Sequence, residues 1–234
     1  MPLLLPLLDL FAAAPLSVHA RPTDLHTRQT SWSGDCLPVH VMIGRGTTQE
    51  YPGSLLSLAD LIIQNNKDGA DYEDIVYPAT FDYTESTAQG YEATISQLTT
   101  YASKCPESKV VLLGYSQGAH VTGDALAGGG GGDMGAETDP VSTEIGDHVA
   151  AVVWYGDPRH MTGEPYDQGT ATAEGLFPRT TAQLANLKTY ADRIRSYCDL
   201  GDPVCAGGDS LEVHSSYPQS YDEKAAAWVQ TKLQ

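Results

Sequence analysis

The run Gly114-Tyr115-Ser116-Gln117-Gly118 follows the apolar stretch Val110-Val111-Leu112-Leu113 and opens a segment of helical spacing, Gln117–Leu126. A G-x-S-x-G pattern between a strand and a helix makes a turn so tight that it needs its glycines, and it lifts the serine hydroxyl off the sheet edge. The helix beyond presents free N–H groups and its positive dipole end at the same place, where an oxyanion could rest. A serine hydroxyl is a weak nucleophile at neutral pH, so the chemistry also requires an imidazole base and a carboxylate to orient it. In this context the chain order is Ser, Asp, His. Four histidines follow Ser116: His120, His148, His160 and His214. His120 stands one helical turn on and points along the helix, and His148 precedes a strand, at its wrong end. His160, in Tyr155-Gly156-Asp157-Pro158-Arg159-His160, would need Asp157 as its orienting acid from the same tight loop. His214 is preferred, because its loop, Gly207 to Tyr217, follows the last strand and is preceded by the stretch Cys198 to Cys205. Asp202 lies in that stretch between Gly201 and Pro203, and a stiff loop suits a carboxylate that must fix an imidazole's tautomer and angle. Asp199 is its rival in the same stretch, and Asp209 lies outside it.

Apolar runs bounded by turn residues predict buried strands at Leu37–Ile43, Ile75–Tyr77, Val110–Leu113 and Val149–Tyr155, with a weaker one at Ile194–Tyr197. Helical spacing predicts helices at Leu55–Ile63, Thr87–Ser103, Gln117–Leu126, Thr181–Ile194 and Asp222–Leu233, where Ala225, Val229 and Leu233 share one face. Alternating strands and helices imply βαβ units around a mostly parallel sheet, an α/β fold with functional residues at the carboxyl ends of its strands. The tract Gly128–Gly132 is too short for a linker and reads as a loop that ends a helix.

The chain has 234 residues and a formal net charge of −17. So acidic a surface repels phosphate backbones and anionic membranes, which excludes a DNA binder. With 41% apolar residues and no long run of one charge, a folded domain is expected. Residues 1–20 form an apolar stretch ending in Val18-His19-Ala20 and read as a secretory signal peptide, although Asp9 interrupts it and no basic residue precedes it. Residues 21–34 read as a short flexible segment, and residues 35–234 as one domain. No later stretch has the length of a membrane span. Four cysteines in a secreted chain imply two disulfides. Three pairings exist. Cys198 and Cys205, seven apart in a Gly/Pro-containing loop, should pair locally, leaving Cys36 with Cys105. Their spacing, with no C-x-x-C pair, argues against a metal site.

These motifs resemble the fungal cutinase and acetylxylan esterase family (carbohydrate esterase family five). Gly44-Arg45-Gly46-Thr47-Thr48-Gln49-Glu50 is similar to its early loop, and Cys105-Pro106 ahead of Gly114–Ala119 to its nucleophile region. Tyr155-Gly156-Asp157-Pro158 follows, then Tyr197-Cys198-Asp199 running to Asp202-Pro203-Val204-Cys205, with His214 beyond; the likeness spans about residues 36–234. The resemblance implies a small three-layer α/β-hydrolase with about five strands, a triad of Ser116, Asp202 and His214, and an oxyanion hole from Thr47 (backbone N–H and hydroxyl) and the Gln117 N–H. It implies disulfides Cys36–Cys105 and Cys198–Cys205, no metal and no cofactor. The expected protein is a secreted, monomeric serine carboxylesterase acting on acetylated plant polysaccharide or a cutin-like polyester. Tyr155–Arg159, Gly163-Glu164-Pro165-Tyr166 and His214-Ser215-Ser216-Tyr217 resemble the acetylxylan esterase side, whereas the absence of further disulfides is closer to cutinases. The loop Ala206–Val213, with two acids, gives a polar rim suited to a sugar ester with a small acyl group. Tyr166, Phe177 and Tyr217 are candidates for an exposed sugar platform. The reading of another class is a secreted carbohydrate-binding or host-interaction protein with an idle site.

Overall fold

Val39–Gly44 (β1), Lys109–Tyr115 (β3), Val149–Tyr155 (β4) and Ile194–Cys198 (β6) form the middle of a parallel sheet. The computed structural model describes residues 29–234; the leader expected over residues 1–20 lies outside the described residues. Two edge strands complete the sheet, Ala70–Asp74 (β2) and Asp167–Gly169 (β5), in the order β2-β1-β3-β4-β6-β5 with every pair parallel. The central strands are apolar at nearly every position because both faces are covered. Val39, Val41 and Ile43 of β1 join Leu58 and Ile62 of helix α1 (Leu56–Asn65) and Ala225 and Val229 of helix α7 (Tyr217–Leu233). Met42 of β1 and Leu112 of β3 face the other way, onto Leu98 and Tyr101 of α2 (Tyr83–Lys104) and Val121 and Leu126 of α3 (Gln117–Ala127). Shorter helices follow: α4 (Thr143–Gly146), α5 (Thr181–Leu187) and α6 (Leu211–Ser215).

The sheet has six strands where about five were expected. The extra one, Asp-Gln-Gly, carries no apolar residue, because it is a three-residue edge held only by its ladder to β6. The second strand lies at Ala70–Asp74 and not at Ile75–Tyr77: an edge strand with Asp71, Glu73 and Asp74 gives no apolar run, and the apolar residues lie just past its end. The helix expected over Thr181–Ile194 stops at Leu187 and continues as a 3₁₀ turn, Lys188–Arg193. The segment expected to be flexible is docked at its described end. Thr30 N–H donates to Asp74 Oδ2 (2.5 Å), Thr30 C=O accepts Asp74 N–H (2.9 Å), and Trp32 packs edge-on against Tyr101 (5.1 Å).

From β1 the chain first steps outward to β2 and then returns past β1 to β3. Such a reversal opens a crevice beyond the carboxyl ends of the two strands. The Gly44–Thr47 loop and Ser116 both emerge there. Among the described residues no helix is long and apolar enough to cross a membrane.

Both disulfides form, Cys36–Cys105 and Cys198–Cys205, with sequence separations of 69 and 7. They fit an extracellular protein. Loop-closure entropy assigns about 4.4 kcal/mol to the long ring and about 2.5 kcal/mol to the short one. Denaturant titration should therefore show Cys36→Ala/Cys105→Ala losing more stability than Cys198→Ala/Cys205→Ala.

Candidate active site

Ser116 joins β3 to α3 at φ 54° and ψ −120°, a region that costs a non-glycine residue about 1–3 kcal/mol. Its surroundings hold it there. The Ser116 N–H donates to Tyr155 C=O at the end of β4 (2.8 Å), and its own carbonyl accepts the N–H groups of Ala119 (2.9 Å) and His120 (3.2 Å), starting the helix. Gly118 allows the first turn of α3 to press on the loop after β1, since a Cβ there would fall on the Gly44 carbonyl oxygen. Helix start and early loop are thus in backbone contact.

His214 is carried on α6, whose first turn is closed by the Ser210 hydroxyl accepting Val213 N–H (3.3 Å). The Tyr115 hydroxyl donates to the His214 carbonyl (3.0 Å), and the imidazole lies over Gly156, where a Cβ would stand 2.7 Å from Cε1. Its Nε2 is 3.0 Å from Ser116 Oγ and its Nδ1 is 2.8 Å from Asp202 Oδ2. A carboxylate only accepts, so Nδ1 carries the proton and Nε2 offers its lone pair to the serine hydroxyl.

Asp202 is fully buried inside the ring closed by Cys198–Cys205. Its Oδ1 accepts the N–H groups of Val204 (2.7 Å) and Cys205 (3.2 Å), and Oδ2 accepts the Tyr217 hydroxyl (2.6 Å) as well as His214. Burial alone would raise this carboxyl. The bond to His214 and its charge, the Tyr217 hydroxyl and the Val204 N–H outweigh it and hold Asp202 below the ordinary carboxylate value.

Arg45 shapes the early loop. Its guanidinium donates to the carbonyls of Gln49 (2.7 Å), Tyr77 (2.8 Å) and Pro78 (3.0 Å) and lies over the Tyr51 ring, while the Tyr77 hydroxyl donates back to the Arg45 carbonyl. Thr47 opens the turn so formed, and Thr48 N–H donates to Ala79 C=O (2.7 Å). Among the described residues neither Thr47 N–H nor Gln117 N–H has a protein acceptor. The Gln117 side chain is turned away, held by the Ser86 hydroxyl (2.9 Å) and the Thr80 carbonyl (3.0 Å), so only its backbone faces the crevice chemistry.

The rival residues are engaged elsewhere. His120 Nε2 stands 3.2 Å from Asp124 Oδ2, on the buried side of α3. The Asp157 carboxylate accepts from Arg179 Nη1 (2.6 Å) and from the Arg159 N–H (2.9 Å), and it makes no hydrogen bond to the His160 ring. Arg159 Nη1 reaches both oxygens of Asp124 (2.9 and 3.0 Å), tying the loop after β4 to α3. Asp199 accepts the Tyr221 hydroxyl on both oxygens (2.9 Å each) and Thr170 N–H (3.0 Å), and Asp209 is exposed. The exposed aromatic platform does not form: Tyr166 is 5% and Tyr217 0% accessible, and Phe177 is half-buried against Tyr83. Tyr217 instead donates its hydroxyl to Asp202, a contact that sequence reasoning, which named the residue for the platform, missed. Its spacing of three from His214, at the start of a helix, is the signal that could have found it. Among the described residues no group of three or more His, Cys, Asp or Glu side chains could hold a metal ion.

A family model described as Cutinase matches residues 35–233. The chain is 35% identical to "Acetylxylan esterase" of Hypocrea jecorina over 210 residues, covering 85% of this chain and 68% of that one. It is 34% identical to "Cutinase 11" of Verticillium dahliae, covering 85% and 70%. The solved catalytic core domain of acetyl xylan esterase from Trichoderma reesei superposes with a TM-score of 0.79 at 34% identity, over 85% of this chain and all of that one. With nearly every described residue inside the family match, the chain belongs to the cutinase family of serine carboxylic ester hydrolases.

Proposed function

We propose that Ser116, His214 and Asp202 are nucleophile, base and orienting acid of a secreted ester hydrolase, with Thr47 and Gln117 as its oxyanion hole, and that it removes acetyl groups from xylan. The observation that carries the reading is the unbroken relay from Ser116 Oγ through His214 to Asp202, with spans of 3.0 and 2.8 Å, set on the strained strand-to-helix turn. Ser116 Oγ attacks the ester carbonyl while His214 Nε2 takes its proton. The carbonyl oxygen, now negative, rests on the Thr47 N–H and hydroxyl and the Gln117 N–H, donors fixed before the reaction starts. His214 then passes its proton to the departing alcohol, and water, activated by the same imidazole, releases the acid from the acyl-serine. Asp202 stays ionised and stabilises the transient imidazolium. A signal peptide over residues 1–20, one catalytic domain over residues 35–234 and a monomer accord with this reading, as do the two disulfides.

The substrate reading is supported by the acetylxylan esterases among the relatives and by Asp209 and Glu212, both exposed, beside the histidine. A second reading, hydrolysis of cutin-like polyesters or other short-chain esters, has its own support: Phe81 (83% accessible), Leu176 (57%) and Leu211 (70%) are exposed apolar side chains in loops and a helix end at the carboxyl edge of the sheet. Comparing acetate release from acetylated xylan with hydrolysis of a p-nitrophenyl ester series and a cutin-like polyester, with Ser116→Ala as blank, separates them. The xylan reading expects acetate release and rates that collapse beyond short acyl chains. Sustained rates on long chains and polyester would replace it with the second, and no rate above the blank would return the chain to carbohydrate binding without catalysis.

Two further outcomes are expected. Activity should fall as pH drops and His214 takes up a proton, and because Asp202 is held ionised the acid limb of kcat/KM should fit a single proton; a flat profile from neutral to acid would exclude a histidine base. Thr47→Val, which removes a hydroxyl and keeps the N–H, should lower kcat about 100-fold with little change in KM.

A further inference from the structure

We propose that Tyr217 is a positioning residue of the hydrolytic reaction: its phenol shares one oxygen of Asp202 with His214 and thereby sets how strongly that carboxylate supports a protonated imidazole. The inference rests on the triad assignment above. Tyr217 Oη stands 2.6 Å from Asp202 Oδ2, closer than His214 Nδ1 at 2.8 Å to the same atom. The direction of the bond is fixed from both sides. The carboxylate can only accept, and the Asp199 N–H donates to the same phenol oxygen (3.0 Å), so the phenol's one proton goes to Asp202. Burial first, and then the bond to Asp202, hold that proton on the phenol far above its ordinary titration range, so Tyr217 acts as a donor throughout.

The ring has no freedom to leave. It is fully buried and stacks on Tyr155 (5.7 Å, 24°) and Tyr221 (6.2 Å, 25°), and it stands edge-on to the His214 imidazole (6.5 Å, 89°). Tyr217 is the first residue of α7 and follows His214 by three positions, with Pro218 next. The base and a donor to the base's partner therefore ride on one short piece of chain. The two N–H bonds to Oδ1 place one end of the carboxylate, and the phenol places the other independently of His214.

Two donors on one oxygen divide its attraction between them. Without the phenol, Oδ2 would attract the imidazolium more strongly and the carboxylate could turn about its two remaining backbone bonds. The first change raises the pH at which His214 gains its proton, and the second costs alignment in the transition state. Titratable groups face this set from each neighbouring element. Tyr115 on β3 and Tyr221 on α7 are pushed up to about 12 by burial, Tyr155 on β4 is pushed up as well, and His160 is pushed down by burial. Asp199 is engaged by Tyr221 and Thr170. The three tyrosines thus stay protonated, and burial lets His160 gain its proton only below the ordinary imidazole range.

The test measures p-nitrophenyl acetate hydrolysis against pH for the mature chain, Ser116→Ala, Tyr217→Phe and Tyr221→Phe, the last removing a phenol from the same stack that bonds Asp199 instead. For Tyr217→Phe the expected result is kcat lower by about tenfold, KM within about twofold of the parent, and an acid limb moved up by about half a pH unit or more. Tyr221→Phe should keep the parent's profile. A parent-like Tyr217→Phe, a lower kcat with an unmoved acid limb, or equal shifts in both variants would overturn the inference while leaving the triad standing. Absence of hydrolysis above Ser116→Ala would instead strike the triad assignment. A proton NMR spectrum without substrate decides the inference in either case: the low-field His214 Nδ1–H resonance should move in Tyr217→Phe and stay in Tyr221→Phe, and its failure to move in Tyr217→Phe sinks the proposal.

Discussion

A carboxylate stripped of water is the constraint around which one end of this molecule is organised. Asp202 is wholly buried, and an ionised group in that position is tolerated only if its lone pairs are all met. Four donors meet them: two backbone N–H groups from within the disulfide ring, the imidazole and a phenol. The disulfide, the one-turn helix α6 and the start of α7 each deliver one or more of those donors. Breaking any of them would take a donor from the buried charge, so these three pieces of chain are coupled through Asp202.

The opposite wall of the crevice is built by close backbone packing. Ser116 keeps a positive φ because its N–H is bonded to Tyr155, its carbonyl starts α3, and Gly118 lets the helix touch the Gly44 carbonyl. Behind α3 a buried ladder, Asp157 with Arg179 and Arg159 with Asp124, connects the loop after β4 to the helix. Burial would raise Asp124, and His120, Arg159 and Arg179 together bring it below its ordinary value. Pairs of this kind add little net stability over an apolar core, yet removing one partner strands the other. The Gly-Asp-Pro-Arg stretch therefore reads as a clamp on the helix that carries the serine, and not as a second acid-base site.

What could be read from the sequence was what depends on local pattern. Ser116 stood out because a tight turn between an apolar run and a helix has a strict glycine requirement, and His214 and Asp202 because a short cysteine-bounded loop follows the last apolar strand. Central strands were legible since burial on both faces leaves a continuous apolar run. The edges were not. β2 is acidic and β5 is three residues of Asp-Gln-Gly, and both exist through pairing with a neighbour, which no local pattern records. The role of Tyr217 was hidden for a related reason: an aromatic residue after a histidine looks like loop packing until the fold brings Asp202 to its hydroxyl.

The two sheet edges also bear on solution behaviour. An open parallel sheet exposes unpaired N–H and C=O groups on its outer strands, and those can recruit a further strand from another molecule. Here one edge is too short to serve as a template, at three residues. The other carries Asp71, Glu73 and Asp74, and Thr30 occupies Asp74's N–H with its carbonyl and Asp74's carboxylate with its amide. Thr30 thus caps the carboxyl end of that edge strand, and a change that displaces it would free the Asp74 N–H for a carbonyl of another chain.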